Sequence, residues 1–288
     1  MKICFVGLGT MGLPMALCLQ EKGFAVAGWD ASPVAGAEFT GRCASLADAA
    51  QAASVIVTML PEGAHVRETH SAIRNLPRSD RRIFIDSSTI DVTTTRELAE
   101  QARADGDGFI DAPVSGGAEG ARVGALSFML GGEPSDIAQV KPVLEAMGSK
   151  VQHLGAAGAG QAAKACHNMI CGITALGVCE AFALADSLGL DQQKFFELCA
   201  GAAAQSWILE NRCPVPGPAP NAPASNGYAP GFAARLMAKD LRLAQAAANA
   251  AGQSTPFGAQ AADRFTEFAS DAAAGALDFS AIYRTIRG

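Results

Sequence analysis

The stretch Lys2–Ala16, KICFVGLGTMGLPMA, decides the fold, because a short apolar run leads directly into three closely spaced glycines. The run Ile3–Val6 is apolar and contains β-branched residues, which predicts a strand. The stretch MGLPMALCLQEKG, from Met11, predicts a helix that ends at Gly23. Gly7, Gly9 and Gly12 therefore lie at a strand-to-helix turn, the context in which a G-x-G-x-x-G pattern is informative.

Each glycine of this turn has a separate physical task. Gly7 permits the tight turn, Gly9 lets the backbone approach a pyrophosphate, and Gly12 lets the helix and strand pack closely. The start of the helix then presents free N–H groups and the positive end of its dipole to the phosphates. We therefore predict a dinucleotide-binding loop formed by Gly7, Leu8, Gly9, Thr10, Met11 and Gly12.

An acidic residue ends the next predicted strand. The segment FAVAGWD finishes at Asp30, eighteen residues after Gly12. An acid at this position can accept hydrogen bonds from the adenosine ribose hydroxyls, and it would repel a 2′-phosphate. No arginine follows directly, since the next residues are Ala31, Ser32 and Pro33. The pattern favours NAD over NADP. The alternative is an aspartate that only caps the following turn.

The two halves of the chain have different patterns. The first alternates apolar, β-branched runs with helix-compatible stretches, and its further strand candidates are Val55–Met59, Ile83–Ile85, Phe109–Ile110 and Leu126–Leu130. From about Gly160 the chain is rich in Ala and Leu and predicts helices. We expect an α/β protein. A doubly wound, mostly parallel sheet occupies residues 1–160, an all-helical domain occupies 161–288, and a long helix at about 160–188 joins them.

A proline-rich segment, Asn211–Phe232, interrupts the helical half. It contains six of the fourteen prolines of the chain and therefore cannot form an α-helix. One interpretation is a solvent-exposed linker. The other is a lid or binding loop, since long loops in compact domains often carry function. The residues alone leave these two alternatives open.

Composition excludes several classes of protein. The chain has 288 residues, of which 49% are apolar and 17% charged, and its net charge of −6 argues against nucleic-acid binding. The eight cysteines show no spacing typical of zinc, so we expect no metal. The sequence predicts neither a signal peptide nor a membrane-spanning run. We expect a cytoplasmic enzyme with no nucleic-acid or membrane partner.

Lys164 is the only charged residue between Lys150 and Glu180. Asn168 follows four residues later, on the same face of the predicted helix. One interpretation is a lysine that extends its amine to water. The other is a partly desolvated lysine, whose lowered pKa would make it a general acid or base near neutral pH. The sequence pattern does not choose between them.

The stretch Asp111–Gly117, DAPVSGG, is the second candidate for a binding site. A predicted strand ends here in a turn formed by Ser115, Gly116 and Gly117. Consecutive backbone N–H groups beside a hydroxyl suit a carboxylate. Ligands of open α/β sheets bind at the carboxyl ends of strands. The alternative is a plain turn, since these residue types favour turns in any context.

Four stretches together resemble the β-hydroxyacid dehydrogenase family over essentially the whole chain. They are GLGTMGLPMA from Gly7, DAPVSGG from Asp111, GAGQAAKACHN from Gly158 and LMAKDLRLAQ from Leu236. The resemblance implies a Rossmann-type cofactor domain, NAD as cofactor, a small hydroxy acid as substrate, and a homodimer or homotetramer.

The proline-rich stretch is similar to the branch of the family that oxidises 3-hydroxyisobutyrate to methylmalonate semialdehyde in valine degradation. The resemblance therefore also implies that this stretch forms part of a substrate pocket. The alternatives are a reductase of tartronate semialdehyde or another short β-hydroxy acid dehydrogenase. A dinucleotide-binding protein without turnover is a further alternative.

The resemblance implies roles for the matching positions. Lys164 matches the general acid and base, and Asn168 matches its partner amide. Substrate binding is implied for Ser115, Gly116, Gly117, Trp207 and Phe232. Cofactor binding, besides the glycine loop and Asp30, is implied for Leu60, Pro61, His65, Thr89 and Lys239. His167 stands where the family commonly has Asn, and its effect on specificity is an open question.

Overall fold

A computed structural model describes residues 1–77 and 80–287. The chain divides into two compact units, Met1–Lys164 and the part that follows from Ala165. The sequence predicts a boundary at residue 160. The division observed here falls at Lys164, inside a helix that begins at Ala159.

Within the described part of the first unit, eight strands form one sheet. They are β1 (Lys2–Val6), β2 (Ala25–Trp29), β3 (Val55–Thr58), β4 (Ile83–Asp86), β5 (Gly108–Asp111), β6 (Val114–Ser115), β7 (Leu126–Gly132) and β8 (Gly148–Gly155). The order is β2-β1-β3-β4-β5-β7-β6, and β8 pairs with β7. Strands β1 to β5 are parallel, whereas β7 runs antiparallel to β5 and β6. The predicted mostly parallel sheet is confirmed.

Six helices accompany this sheet in the described residues. They are α1 (Gly12–Glu21), α2 (Leu46–Ala50), α3 (Gly63–Arg74), α4 (Val92–Ala104), α5 (Gly117–Arg122) and α6 (Pro134–Met147). Successive residues of a strand point to opposite faces. On β1, Phe5 joins a buried cluster with Met15 of α1 and Val140 of α6. Val6 joins another cluster with Ile73 of α3. The fold is therefore doubly wound, with helices on both faces.

The remaining elements are helical. They are α7 (Ala159–Ser187), α8 (Gln192–Ala200), α9 (Trp207–Asn211), α10 (Ala234–Ala250), α11 (Pro256–Phe268), α12 (Ala272–Ala276) and α13 (Tyr283–Ile286), with 3₁₀ turns at Pro223–Asn226 and Phe279–Ile282. Phe182 of α7, Leu241 of α10 and Phe265 of α11 belong to one buried cluster. The predicted helical C-terminal region is confirmed.

The proline-rich segment is folded onto the helical unit. The Tyr228 hydroxyl donates to the Pro214 carbonyl at 2.6 Å, and the Arg284 guanidinium lies 4.5 Å from the centre of the Tyr228 ring. At the end of the segment, the buried Asp278 carboxylate accepts from the Phe232 N–H at 3.0 Å. This packing favours the binding-loop interpretation over a solvated linker.

Helix α7 is long and apolar enough to span a membrane, by length and composition alone. This helix differs from the expectation that the chain contains no membrane-spanning run. A core helix of a soluble protein meets the same criterion. Lys164 and Asn168 of this helix are both buried.

Candidate active site

The glycine loop has the geometry that dinucleotide binding requires. Gly7 adopts φ +95°, and a Cβ there would lie 2.3 Å from the Met59 carbonyl oxygen. A Cβ on Gly12 would lie 1.8 Å from the Gly7 carbonyl oxygen. At Gly9 a Cβ would meet nothing within 4 Å. Gly7 and Gly12 are therefore required by the fold, whereas Gly9 leaves clear the surface that a pyrophosphate approaches.

Asp30 connects this loop to the end of β2. Its Oδ2 accepts from the Leu8 N–H at 2.7 Å, and its Oδ1 accepts from the Ser32 N–H at 2.8 Å. Each oxygen of a carboxylate can accept more than one hydrogen bond, and Asp30 is only half-buried. The carboxylate can therefore serve ribose hydroxyls as well as the loop. Thr10 is exposed and Met11 half-buried, so the loop surface is open. These residues fit NAD.

Arg42 is a neighbour of Asp30 that the sequence analysis missed. Its Nη2 donates to the Ser32 carbonyl at 2.8 Å and to the Asp30 carbonyl at 3.4 Å. Its Nη1 donates to the carbonyl of Ala35. The signal was hidden because Arg42 lies beyond the turn, outside the positions directly after the strand. Its bonds to main-chain carbonyls stabilise the turn beside the predicted ribose site.

Four further cofactor positions lie at the carboxyl ends of β3 and β4 or just beyond. Leu60 follows β3 and Thr89 follows β4, and the Leu60 N–H donates to the Ser88 hydroxyl at 2.9 Å. Because β1, β3 and β4 are adjacent parallel strands, these residues share the sheet edge of the glycine loop. Pro61 is exposed in the turn, and His65 is exposed near the start of α3.

The predicted carboxylate loop is an unusual backbone turn. Ser115 ends β6 and pairs with Ser127 of β7. Gly116 has φ +127° and Gly117 has φ +63°, values that residues with side chains rarely adopt. Turns of this kind direct successive N–H groups to one side and form anion-binding concavities. The conformation supports the binding interpretation over a plain turn.

Lys164 reaches the start of this loop. Its side chain is buried, with 7% of its surface exposed, and its Nζ donates to the Val114 carbonyl at 2.8 Å. Val114 immediately precedes Ser115. A lysine that extends to water is therefore not what the structure shows. The first unit holds Lys164, the predicted carboxylate loop and the glycine loop, and the Nζ hydrogen bond connects Lys164 to the residue before the carboxylate loop.

Asn168 belongs to a polar cluster of the helical unit. Its Nδ2 donates to Asp240 Oδ2 at 2.5 Å, and its Oδ1 lies 2.8 Å from His167 Nδ1. Lys239 Nζ lies 3.5 Å from Asp240 Oδ1. His167 therefore contacts the predicted partner amide directly. Asp240 was missed by the sequence analysis, although it follows Lys239 in the stretch LMAKDLRLAQ.

The two aromatic positions of the predicted pocket differ in burial. Trp207 is 57% exposed, and the Arg212 guanidinium lies 5.1 Å from its ring centre. Phe232 is half-buried and makes an edge contact with Phe279, with ring centres 6.0 Å apart. Both aromatics are in the helical unit. That unit also holds Asn168 and Lys239, whereas the other predicted site residues belong to the first unit.

Asp111, the first residue of the stretch DAPVSGG, and Gln161 are buried polar residues beside the site, and the sequence did not predict their contacts. Asp111 Oδ1 accepts from the Gly158 N–H at 2.7 Å, and Oδ2 accepts from the Gln161 N–H at 2.9 Å. Burial raises the pKa of Asp111 to about 6, although these two N–H groups act in the opposite direction. The Gln161 amide in turn donates to the Ser88 carbonyl at 2.7 Å.

A buried polar network lies beneath the cofactor edge of the sheet. The Thr58 hydroxyl donates to Asp86 Oδ1 at 2.8 Å, and His70 Nε2 lies 3.2 Å from the same hydroxyl. Burial, with a smaller effect of Arg74, lowers the pKa of His70 to about 3, so its ring is neutral. The network connects β3, β4 and α3 and stabilises the ends of the strands that carry Leu60 and Thr89.

Among residues 1–77 and 80–287, no group of three or more His, Cys, Asp and Glu side chains could hold a metal ion.

Two family models match consecutive parts of the chain. The NAD binding domain of 6-phosphogluconate dehydrogenase matches residues 2–155, and the NAD-binding domain of NADP-dependent 3-hydroxyisobutyrate dehydrogenase matches residues 158–286. A probable 3-hydroxyisobutyrate dehydrogenase of Mycobacterium tuberculosis is 45% identical over 289 residues, covering 99% of this chain and 97% of the relative.

Two further proteins are similar over most of their length. An NAD-dependent L-serine dehydrogenase of Pseudomonas aeruginosa is 41% identical over 266 residues, covering 90% of this chain and 89% of the relative. A solved structure of M. tuberculosis 3-hydroxyisobutyrate dehydrogenase with L-serine is 44% identical and has a TM-score of 0.94. The match covers 100% of this chain, including α7, and 99% of that structure.

Proposed function

The chain belongs to the 3-hydroxyisobutyrate dehydrogenase-like group of β-hydroxyacid dehydrogenases and is an NAD-dependent oxidoreductase, and from this premise we propose that it oxidises 3-hydroxyisobutyrate to methylmalonate semialdehyde in valine degradation. Lys164 is the general base of this reaction. Ser115, Gly116 and Gly117 bind the substrate carboxylate, and Asn168, one turn further along α7, is the partner amide.

One observation carries the proposal. The amine of Lys164 is buried and donates to the carbonyl of Val114, the residue immediately before the carboxylate loop that begins at Ser115. A β-hydroxy acid has its hydroxyl two carbons away from its carboxylate. A substrate whose carboxylate binds the turn therefore has its hydroxyl within a few ångströms of that turn, which is the region that the amine of Lys164 occupies.

The reaction removes one proton and one hydride from the same alcohol. Bound NAD supplies the acceptor for the hydride. Neutral Lys164 accepts the hydroxyl proton while the hydride leaves the carbinol carbon, so the alcohol becomes an aldehyde and the amine becomes an ammonium. In the reverse direction the ammonium returns this proton to the developing alkoxide. Acid–base assistance of this kind contributes about 10²- to 10⁴-fold in rate.

A single substitution tests this mechanism. Lys164→Ala removes the base, so we expect kcat for 3-hydroxyisobutyrate with NAD to fall by about 10²- to 10⁴-fold. Lys141→Ala is the matched control, because that lysine is exposed on α6 and pairs only with Glu145 of the same helix in the described contacts. Nicotinamide absorbance measures both rates. Near-normal turnover of a folded Lys164→Ala protein would rule out Lys164 as the base.

L-Serine is a second candidate substrate. The support is the L-serine dehydrogenase of P. aeruginosa and the M. tuberculosis structure that contains L-serine. L-Serine has the same carboxylate and primary hydroxyl, with an ammonium in place of a methyl group. A panel of 3-hydroxyisobutyrate, L-serine and, with NADH, tartronate semialdehyde separates the candidates. A kcat/KM for L-serine above that for 3-hydroxyisobutyrate would overturn the primary assignment.

We also propose that the enzyme is a cytoplasmic homodimer or homotetramer without nucleic-acid or membrane partners. The net charge of −6 supports the absence of a nucleic-acid surface. Ile170 and Leu184 of α7 are 63% and 60% exposed, which supports contact with another copy of the chain.

A further inference from the structure

We propose that Asp111 is a positioning residue, which fixes the first turn of α7 and thereby sets where the amine of Lys164 lies relative to the carboxylate loop. This inference rests on the proposed function, because such a role has meaning only if Lys164 is the base. Asp111 acts through the helix, because its carboxylate accepts from the N–H groups of Gly158 and Gln161.

The first contact is between the carboxylate and the start of α7. The N–H groups of the first helical turn have no partner inside the helix. Asp111 accepts from two N–H groups there, those of Gly158 and Gln161, at 2.7 and 2.9 Å. Lys164 follows Gln161 by three residues, which is less than one helical turn and about 4.5 Å along the axis. The base therefore lies within the turn next to the one that Asp111 holds.

The surrounding backbone leaves space for this carboxylate. A Cβ on Gly131 would lie 2.4 Å from Asp111 Oδ1, and a Cβ on Gly160 would lie 2.8 Å from Oδ2. Asp111 is fully buried. Two backbones approach the carboxylate closely only because both carry glycine where a side chain would collide. The carboxylate is thus enclosed in a formed site and cannot turn towards solvent.

The second contact uses the same short segment of chain. Asp111 pairs with Gly131 of β7, and three residues later Val114 pairs with Phe128 of the same strand. The Val114 carbonyl accepts a hydrogen bond from the Lys164 amine. The segment from Asp111 to Val114 therefore holds α7 at two points, its first turn and its lysine. Since Ser115 continues directly from Val114, these two points fix the position of the Lys164 amine relative to the carboxylate loop.

Gln161 prevents rotation of this turn. Its Nε2 donates to the Ser88 carbonyl at 2.7 Å, and its Oε1 accepts from the Ile90 N–H at 3.2 Å. These bonds attach the same turn to the chain that follows β4. With Asp111 on one side and the Ser88 segment on another, the first turn of α7 is held on two sides. A loss of the Asp111 bonds leaves only one of these attachments.

An ordinary helix cap would look different. Asp191 caps α8 by accepting from the Lys194 N–H at 2.9 Å, and it is exposed and adjacent in sequence to the helix that it caps. Asp111 is buried and lies on a different element, 47 residues before Gly158. Asp191→Asn is therefore a matched control: it weakens a cap of the same chemistry in a helix that does not carry the base.

The test is Asp111→Asn in the full-length protein, with turnover measured under saturating NAD. The amide has the same size, but its NH₂ group cannot accept from the second N–H. We expect kcat to fall by about ten- to a hundredfold, because a misplacement of about 1 Å can cost that much. We expect KM for the hydroxy acid and the NAD affinity to stay within about threefold. Asp191→Asn should leave kcat unchanged.

A second measurement separates positioning from a merely structural role. A structural role lowers the melting temperature or the folded fraction and leaves kcat per folded molecule intact. If Asp111 acts through the base, Asp111→Asn should lower the residual rate of Lys164→Ala by less than twofold. Backbone hydrogen exchange should accelerate in peptides over residues 156–166 of Asp111→Asn, with little change elsewhere.

The possible outcomes are distinguishable. A folded Asp111→Asn enzyme with kcat within twofold of the parent, beside an inactive Lys164→Ala, overturns this inference and leaves the proposed function standing. An active Lys164→Ala overturns the proposed function, and this inference with it. Should Asp111→Asn fail to fold, Asp111→Ser, which is smaller and keeps one acceptor, is measured against the same criteria.

Discussion

At the scale of single residues, Asp30 combines two contacts with different consequences. Its carboxylate holds the Leu8 N–H and so stabilises the glycine loop. The same carboxylate is half-buried at the end of β2, where ribose hydroxyls can reach it. A substitution that keeps the shape and removes the charge therefore tests ribose recognition, although the amide keeps an acceptor for only one of the Leu8 and Ser32 N–H groups.

We predict that Asp30→Asn weakens NAD and improves NADP. A hydrogen bond to a charged group contributes about 1.5–3 kcal/mol, so kcat/KM for NAD should fall by about ten- to a hundredfold. The repulsion of a 2′-phosphate disappears at the same time, so the NAD-to-NADP preference should fall further than that. Initial rates with each cofactor measure the effect. Glu38→Gln, an exposed carboxylate of the next loop, is the control. An unchanged cofactor ratio would exclude Asp30 from ribose recognition.

The residues that could be predicted are those whose partners are close in sequence or whose spacing has a direct physical meaning. Gly7, Gly9 and Gly12 follow a strand at fixed offsets, and the structure gives each the predicted backbone environment. Asp111 and Asp240 could not be predicted as partners, since they bind groups 47 and 72 residues away. Contacts at that distance depend on the fold, which the local pattern does not contain.

At the scale of elements, the attachment of α7 to the sheet has an energetic cost. Asp111 is buried, and its pKa is raised to about 6 from its ordinary value of 3.8. Between about pH 4 and 6 the folded chain therefore holds a proton that the unfolded chain has released, and the free energy of unfolding falls as pH rises. Across this pH range the free energy of unfolding falls by about 3 kcal/mol in total because of Asp111. The folded chain with Asp111 ionised is therefore less stable, relative to the unfolded chain, than the folded chain with Asp111 protonated.

We predict that Asp111→Asn becomes more stable relative to the parent as pH rises from about 4 to 7, by up to about 3 kcal/mol. His70 acts oppositely, because its lowered pKa makes stability rise with pH over about 3 to 6.5. That contribution is common to both proteins and cancels in the difference. Denaturant unfolding of both proteins across this pH range provides the measurement. A difference independent of pH would contradict the buried, ionisable state of Asp111.

Most elements could be predicted, and the exceptions have identifiable reasons. The strands β1 to β5 and β7 match apolar runs, and α7 matches a long Ala-rich stretch. Strand β8, Gly148–Gly155, was not predicted, because its sequence GSKVQHLG is largely polar and its side chains are mostly exposed. It is a strand because its backbone pairs with β7. Strand β6 has only two residues, too few for a periodic signal.

At the scale of the whole molecule, exposed apolar side chains cluster in sequence around the end of α7. Leu184 is 60%, Leu188 is 68%, and Leu190 is 50% exposed, and Ile170 lies earlier on the same helix. Large apolar side chains grouped in this way mark contact surfaces more often than isolated ones do.

Fold class and the two-part organisation followed from the change of pattern near residue 160. The surface of α7 that a second copy would cover could not be predicted from that pattern.

We predict a mass of about twice or four times the 29.4 kDa of one chain in solution. Leu184→Glu adds a charge to the exposed apolar surface, so it should shift the assembly towards monomer. Glu180→Gln, an exposed polar position on the same helix, should leave the mass unchanged. Light scattering coupled to size exclusion measures all three proteins. A monomeric parent would refute the oligomer.

The unbroken course of α7 constrains how this chain can change over evolutionary time. The interval between Lys164 and Asn168 is set by helical geometry alone, with no loop to absorb a change of length. One inserted residue would turn everything after it by about 100° around the helix axis and shift it by about 1.5 Å. Substitution of single residues is compatible with that geometry, whereas insertion or deletion of residues within the helix is not. We therefore expect a change of chain length within α7 to be tolerated less well than one in the turns between elements.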